Sequence, residues 1–131
     1  WSSLSYRLAQ LLFQTNNRKG RNAMTDVFKG LYEVIEKRKE EKQEGSYTCY
    51  LFEQGMDKIL KKCGEECSEV IIAAKNGNNI DTANEICDLL YHLLVMMSEA
   101  GISVEEVEEI LEARRQKIGN LKTFHVSDHN T

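Results

Sequence analysis

The sequence has no proline in 131 residues. Proline breaks helix interiors, so its absence favours long uninterrupted helices. No apolar run is long enough to cross a bilayer, and 41% hydrophobic with 29% charged residues fits neither a membrane protein nor a disordered chain. Positive charge is not in excess. With 17 basic and 21 acidic residues the net charge is −4, which argues against a general nucleic-acid binder and leaves a nucleotide substrate open. Cysteines are few: Cys49, Cys63, Cys67 and Cys87. Their spacing matches no usual zinc motif, even with His92 as a fourth ligand. They read as small apolar residues on core faces of a reduced, cytoplasmic protein. There is no internal repeat, strand pair or low-complexity linker, and the length suits one domain.

Helical periodicity fills the rest. Residues 1–23 stand apart, with an apolar stretch from Leu4 to Phe13 and then basic Arg18, Lys19 and Arg21. That order is the reverse of a secretory signal. This segment is expected to be a vector-derived or translated leader, with Met24 as the native start. The domain is expected over 24–119, with 120–131 as a loose tail. Thr25 or Asp26 is a cap for a first helix. Its apolar stripe is Val27, Leu31, Val34 and Ile35, beside Phe28 and Tyr32. A charged run from Glu36 to Glu44 ends it before Gly45-Ser46. A short piece follows, broken by Gly55. The second long helix is predicted over 56–76, with Ile59, Leu60, Cys63, Cys67, Val70, Ile71 and Ala74 on its core face. The third is predicted over 81–100, with Ile86, Leu89, Leu90, Leu93, Leu94 and Met97 inward. Ser103 and Glu106 form a capping box for a last helix that buries Val104, Val107, Ile110 and Leu111 and stops at Gly119. The expected architecture is an all-α bundle of about four main helices.

Two of these helices carry paired acids. Glu66 and Glu69 form E-x-x-E, and Glu85 and Asp88 form E-x-x-D. Residues three apart share a helix face. If the two helices run antiparallel, all four carboxylates converge. Like charges so close raise each other's pKa, and a cation is the simple remedy. Oxygen-only ligands select a hard ion, so magnesium is expected, or manganese. Lys58 and Lys62 precede the acids on a shared face, and Lys75 follows them; all three are candidates for phosphate binding. Glu65 is a neighbouring acid. Paired acids alone are common on solvated faces. Glu105, Glu106, Glu108, Glu109 and Glu112 show that ordinary case, with no basic lead-in and no matching acidic helix. His92 and Tyr91 lie on a core-dominated helix and read as hydrogen-bonded structural residues. Tyr47 and Tyr50 have the chemistry to stack on a base, although packing is the simpler reading.

The run from Gly55 to Glu66, the segment Glu69-Val70-Ile71-Ile72-Ala73-Ala74-Lys75-Asn76, and the stretch from Glu85 to Leu94 together resemble the phosphoribosyl-ATP pyrophosphohydrolases. These belong to the wider MazG-type all-α nucleotide pyrophosphohydrolases, marked by E-x-x-E followed by E-x-x-D. The resemblance covers roughly 31–115. The acids identify the superfamily, and the lysine-rich lead-in, A-A-K-N and D-L-L-Y-H-L narrow it. The resemblance implies a MazG-like bundle completed by dimerisation. It implies magnesium-dependent hydrolysis of phosphoribosyl-ATP to phosphoribosyl-AMP and pyrophosphate, the second step of histidine biosynthesis. Carried over by position, the metal ligands are Glu66, Glu69, Glu85 and Asp88. Glu65 contacts a second ion or serves as base, a choice the sequence leaves open. The expected partners are a small nucleotide substrate and a second copy of the chain, with neither nucleic acid nor membrane. Two other readings stay open: a housekeeping pyrophosphohydrolase of other nucleotides, and a non-catalytic carboxylate-bundle metal or interaction protein. The lack of E-x-x-H pairs weighs against a di-iron bundle.

Overall fold

A computed structural model describes residues 23–117. Residues 1–22 and 118–131, which hold nearly all of the expected leader, the Gly119 stop and the tail, lie outside the described residues. Among the described residues there are five α-helices and no strand: α1 Ala23–Glu40, α2 Tyr47–Gln54, α3 Met56–Lys75, α4 Asn79–Ala100 and α5 Val104–Lys117. The all-α expectation holds. No single described helix is long and apolar enough to cross a membrane.

Local chemistry sets the boundaries. Thr25 and Asp26 lie inside α1 rather than capping it, and α1 ends at Glu40, short of the predicted Glu44. The early stop has a cause in α2. The Cys49 thiol donates to the Arg38 carbonyl (3.2 Å) and accepts from the Gln43 N–H (3.4 Å), so a buried side chain serves the last turn of α1. The Ser46 hydroxyl accepts from the Cys49 N–H and starts α2. Gly55, at φ +84° and ψ −176°, is the single residue between α2 and α3. Only glycine adopts that backbone region readily. Asn78 caps α4 through bonds from the Ile80 and Asp81 N–H groups, which starts the helix at Asn79, two residues before the predicted Asp81. The capping box forms as expected. Ser103 N–H donates to Glu106 (2.7 Å) and Glu106 N–H to the Ser103 hydroxyl (3.1 Å).

Helices α3 and α4 form an antiparallel hairpin joined by residues 76–78, and this pair dominates the packing. Helix α1 lies against α4, α2 bridges α1 and α3, and α5 turns away from α4 at 115°. The core is Ile35, Leu51, Ile59, Tyr91, Leu94, Val95 and Val104, flanked by Phe28, Leu31, Tyr32, Tyr47, Phe52, Met96 and Met97. Three hydrogen bonds tie α1 to the end of α4. Lys39 Nζ donates to the Ser98 carbonyl (2.9 Å), Ser98 Oγ to Glu36 (2.8 Å), and Tyr32 Oη to the Ile102 carbonyl (2.8 Å).

Several predicted core residues are exposed in the single chain. Val27 and Val34 face out from α1, Leu60, Cys67, Ile71 and Ala74 from α3, Ile86 from α4, and Val107, Ile110 and Leu111 from α5. The reason on α3 is angular. Its buried residues are Ile59, Glu66 and Ala73, at sevenfold spacing. Leu60, Cys67, Ile71 and Ala74 form a second apolar stripe about 100° around the helix, at 100° per residue. The sequence pattern merged two faces, and one chain covers only one of them. The cysteine expectation is corrected likewise. Cys49 is buried, Cys63 is half-buried, and Cys67 and Cys87 are exposed.

Candidate active site

The hairpin brings the two acid motifs face to face. One carboxylate oxygen from each of Glu66, Glu85 and Asp88 lies within 4.8 Å of the others. Glu66 is 7% exposed, whereas Glu85 and Asp88 are half-buried. Glu69 is not one of the three. It stands close enough to hydrogen-bond Glu66 and Glu85 when a proton is shared. Burial pushes the Glu66 carboxyl up to about 7, helped by Glu69 and Asp88 and opposed by Lys62. Burial and Glu69 also raise the Glu85 carboxyl. Glu66 Oε2 and Glu85 Oε2 are buried with no hydrogen-bond partner. Buried polar atoms normally have partners, and two orphaned carboxylate oxygens facing other acids fit a cation.

Of the lysines, Lys62 is the one bound into this cluster. Its ammonium lies 3.1 Å from Glu65 and 3.5 Å from Glu66. Burial alone would lower the Lys62 pKa, but the Glu65 hydrogen bond and the Glu65 and Glu66 carboxylates hold it above its ordinary value. Glu65 is exposed, and the Lys62 hydrogen bond, with Lys61 and Lys58 nearby, holds its pKa down. Glu65 therefore stays a carboxylate where Glu66 tends to hold a proton. Lys58 is half-buried one turn before Lys62 and makes no ion pair among the described residues. Lys75 sits in the last turn of α3. Nine residues separate it from Glu66, about 13 Å along the axis and about half a turn round the helix. The single chain does not bring Lys75 to the acids.

Behind the acids lies a polar contact that sequence spacing does not reveal. His92 Nε2 is 2.9 Å from Tyr47 Oη, and His92 Nδ1 is 2.7 Å from the Asp88 carbonyl. Burial lowers the His92 pKa, so the ring is neutral at ordinary pH. Thr48 Oγ1 and Tyr91 Oη form a second hydrogen bond beside it. His92 and Tyr91 are thus buried and hydrogen-bonded. Tyr47 borders the site, and no periodicity marks it because its partner is 45 residues away. Tyr50 is exposed and stacks on Tyr47, with ring centroids 6.2 Å apart. An open depression of about 510 Å³ begins at Tyr47 and runs past Ser46, Cys49, Tyr50 and Glu53.

Comparison with known families decides the lineage. The family model for phosphoribosyl-ATP pyrophosphohydrolase matches residues 28–115, which hold both acid motifs and all three candidate lysines. The chain belongs to the phosphoribosyl-ATP pyrophosphohydrolase family. A relative from Clostridium novyi (strain NT), named phosphoribosyl-ATP pyrophosphatase, is 54% identical over 97 residues, 74% of this chain and 88% of the relative. Its namesake from Streptococcus sanguinis (strain SK36) is 54% identical over 99 residues, 76% of this chain and 95% of the relative. A third, from Streptococcus gordonii, is 58% identical over 87 residues, 66% of this chain and 84% of the relative. Membership in the phosphoribosyl-ATP pyrophosphohydrolase family accounts for an acid cluster set on two rigid helices beside a lysine. That is the equipment for a phosphoric anhydride.

Proposed function

We propose that the protein hydrolyses phosphoribosyl-ATP to phosphoribosyl-AMP and pyrophosphate, as the names of its relatives indicate for them. One observation carries the reading: two buried, orphaned carboxylate oxygens meet a third acid across the α3–α4 hairpin, in a chain of this family. Glu66, Glu69, Glu85 and Asp88 would hold magnesium or manganese. Bound there, the ion neutralises triphosphate charge and acidifies water. Lys62 sits beside the acids and binds the phosphates, with Lys58 one turn before it on α3. Glu65 is the acid best suited to take the water proton, because it stays ionised and is exposed to solvent. Water supplies one oxygen, the α–β anhydride bond breaks, and the leaving pyrophosphate carries the bond's electron pair. Lys75 would reach this centre from a second subunit.

The same reading includes a homodimer. The second apolar stripe of α3, with Leu60 49% and Ile71 60% exposed, and the outer face of α5 support it. It also places the enzyme in the cytoplasm, where its four unpaired cysteines stay reduced. The test is a substrate panel with magnesium and a pyrophosphate readout. Phosphoribosyl-ATP should be turned over well ahead of ATP and the other common triphosphates. A preference for the common triphosphates would transfer the protein to a housekeeping role with the same metal chemistry.

A further inference from the structure

The open depression of about 510 Å³ beside α2 begins at Tyr47, on the border of the acid site. Small-molecule sites are commonly about 300–1,000 Å³, so it has room for a nucleoside. Tyr47, Tyr50 and Glu53 line it at three-residue spacing and form one stripe along α2. Tyr47 is the end tied to the acids. Its Oη is 2.9 Å from His92 Nε2, and His92 Nδ1 is 2.7 Å from the Asp88 carbonyl. Tyr50 stacks on Tyr47, with ring centroids 6.2 Å apart, and is 41% exposed. Glu53 follows, about 9 Å from Tyr47 along the helix axis. Glu44 also lines the depression, and among the described residues no lysine or arginine does. Lys42 reaches Glu53 at 3.7 Å, an exposed pair that a competing cation can replace. The lining is therefore aromatic and acidic. It repels phosphate and suits a flat cation, held by stacking and by carboxylate.

The substrate carries such a group. Phosphoribosyl-ATP differs from ATP by a second ribose phosphate on adenine N1. With N1 alkylated, the exocyclic nitrogen becomes the basic atom. Its protonated form spreads positive charge over the amidinium of N1, C6 and N6, whereas unsubstituted adenine is neutral at the same pH. We propose that the depression is the base subsite: Tyr50 stacks on the N1-substituted adenine and Glu53 pairs with its amidinium, which favours phosphoribosyl-ATP over ATP. The inference rests on the substrate reading above and names the residues that enforce it. Tyr47, anchored by His92, is the wall between the base and the acids. The depression is open, so the phosphoribosyl group on N1 runs on toward solvent.

The test is steady-state kinetics of the full chain on phosphoribosyl-ATP and on ATP, with magnesium. Tyr50→Ala should raise KM for phosphoribosyl-ATP about tenfold, the size of one lost base stack. Tyr50→Phe keeps the ring and should restore most of that loss. Glu53→Gln should raise KM for phosphoribosyl-ATP about fivefold and change KM for ATP by less than about twofold, because only the first base is cationic. A merely structural role for Glu53 would move both substrates alike. Raising the pH neutralises the amidinium, so the parent's preference for phosphoribosyl-ATP should shrink, and in Glu53→Gln it should shrink less. Parental KM in Tyr50→Ala, or equal losses on both substrates in Glu53→Gln, overturns the proposal. A parent that ignores phosphoribosyl-ATP sinks the substrate reading by itself. Calorimetry of 1-methyl-AMP against AMP, in parent and Tyr50→Ala, then judges the subsite without turnover. Tighter binding of the methylated, cationic nucleotide, abolished in Tyr50→Ala, upholds the subsite, and equal binding of the two nucleotides refutes it.

Discussion

Glu66→Gln should stabilise the cation-free protein while destroying its turnover. The Glu66 carboxyl is 7% exposed and is pushed up to about 7, first by burial and then by Glu69. Its ordinary value is 4.5. The folded pKa exceeds the unfolded one, so the unfolded chain gives up this proton more readily. Stability is therefore lost as pH rises from the lower value through the upper one. The difference, about 7 minus 4.5, is roughly 2.5 in pKa; at about 1.4 kcal/mol each, the penalty is at most about 3.5 kcal/mol above neutrality. Glutamine removes that penalty. The Lys62 contact at 3.5 Å is already counted in that figure, because Lys62 opposes the shift. The net gain expected near pH 8 is about 3 kcal/mol, or roughly 15 °C in Tm for a domain of this size. Near pH 5 the gain falls below about 1 kcal/mol, because Glu66 is already protonated in the fold. The assay is thermal unfolding of parent and variant with chelator at both pH values, at one protein concentration. Added magnesium should then raise the parent's Tm near pH 8 and leave the variant almost unmoved. A variant less stable than the parent near pH 8, or a gain of the same size near pH 5, would refute the idea of an uncompensated buried acid.

Asp88→Asn and Glu69→Gln should each cost at least about a hundredfold in turnover by loss of a metal ligand, with unchanged far-ultraviolet circular dichroism; unaltered activity in both would remove the site assignment. Ser103→Ala should cost about 1 kcal/mol in denaturant unfolding, since it removes one half of the α5 capping box. Ile71→Glu lies on the open stripe, away from the acids, and should shift the protein toward monomer in light scattering while leaving the α3–α4 hairpin helical. A dimer that survives Ile71→Glu unweakened places the subunit contact elsewhere.

Much of the fold could be read from local signals. Helix α5 announces its start in Ser103 and Glu106, because a capping box involves four consecutive residues and nothing distant. The acids of α3 and α4 are legible for a similar reason: three-residue spacing fixes a face, and a three-residue turn forces the hairpin. Faces proved harder than elements. Ala73 and Ala74 are adjacent and chemically identical, yet one is buried and the other exposed, and only the position of α4 decides which. Val107, Ile110 and Leu111 have the period of a core stripe, but the turn after Gly101 carries α5 away from the hairpin. Cys49 reads as a small apolar residue and is buried like one. Its thiol also ends α1, a role set by a loop closure that no period records. The Tyr47–His92 bond belongs to the same class, since its two residues meet only after α2 docks on the hairpin.

Helix α3 carries its core contacts and its chemistry on one side. Ile59, Glu66 and Ala73 stand in line there, Lys62 and Glu69 adjoin them, and the neighbouring stripe exposes Leu60, Cys67 and Ile71. Only the side that holds Lys61, Ser68 and Ile72 is left free to drift. A saturation scan should find α3 intolerant of change over more than half its circumference, while the glutamate side of α5, formed by Glu105, Glu109 and Glu112 opposite its apolar residues, accepts substitution freely. Neutral variation in such a chain must accumulate away from the hairpin. Its history should therefore be written in α1 and α5, and its α3 should change only when a partner surface changes with it.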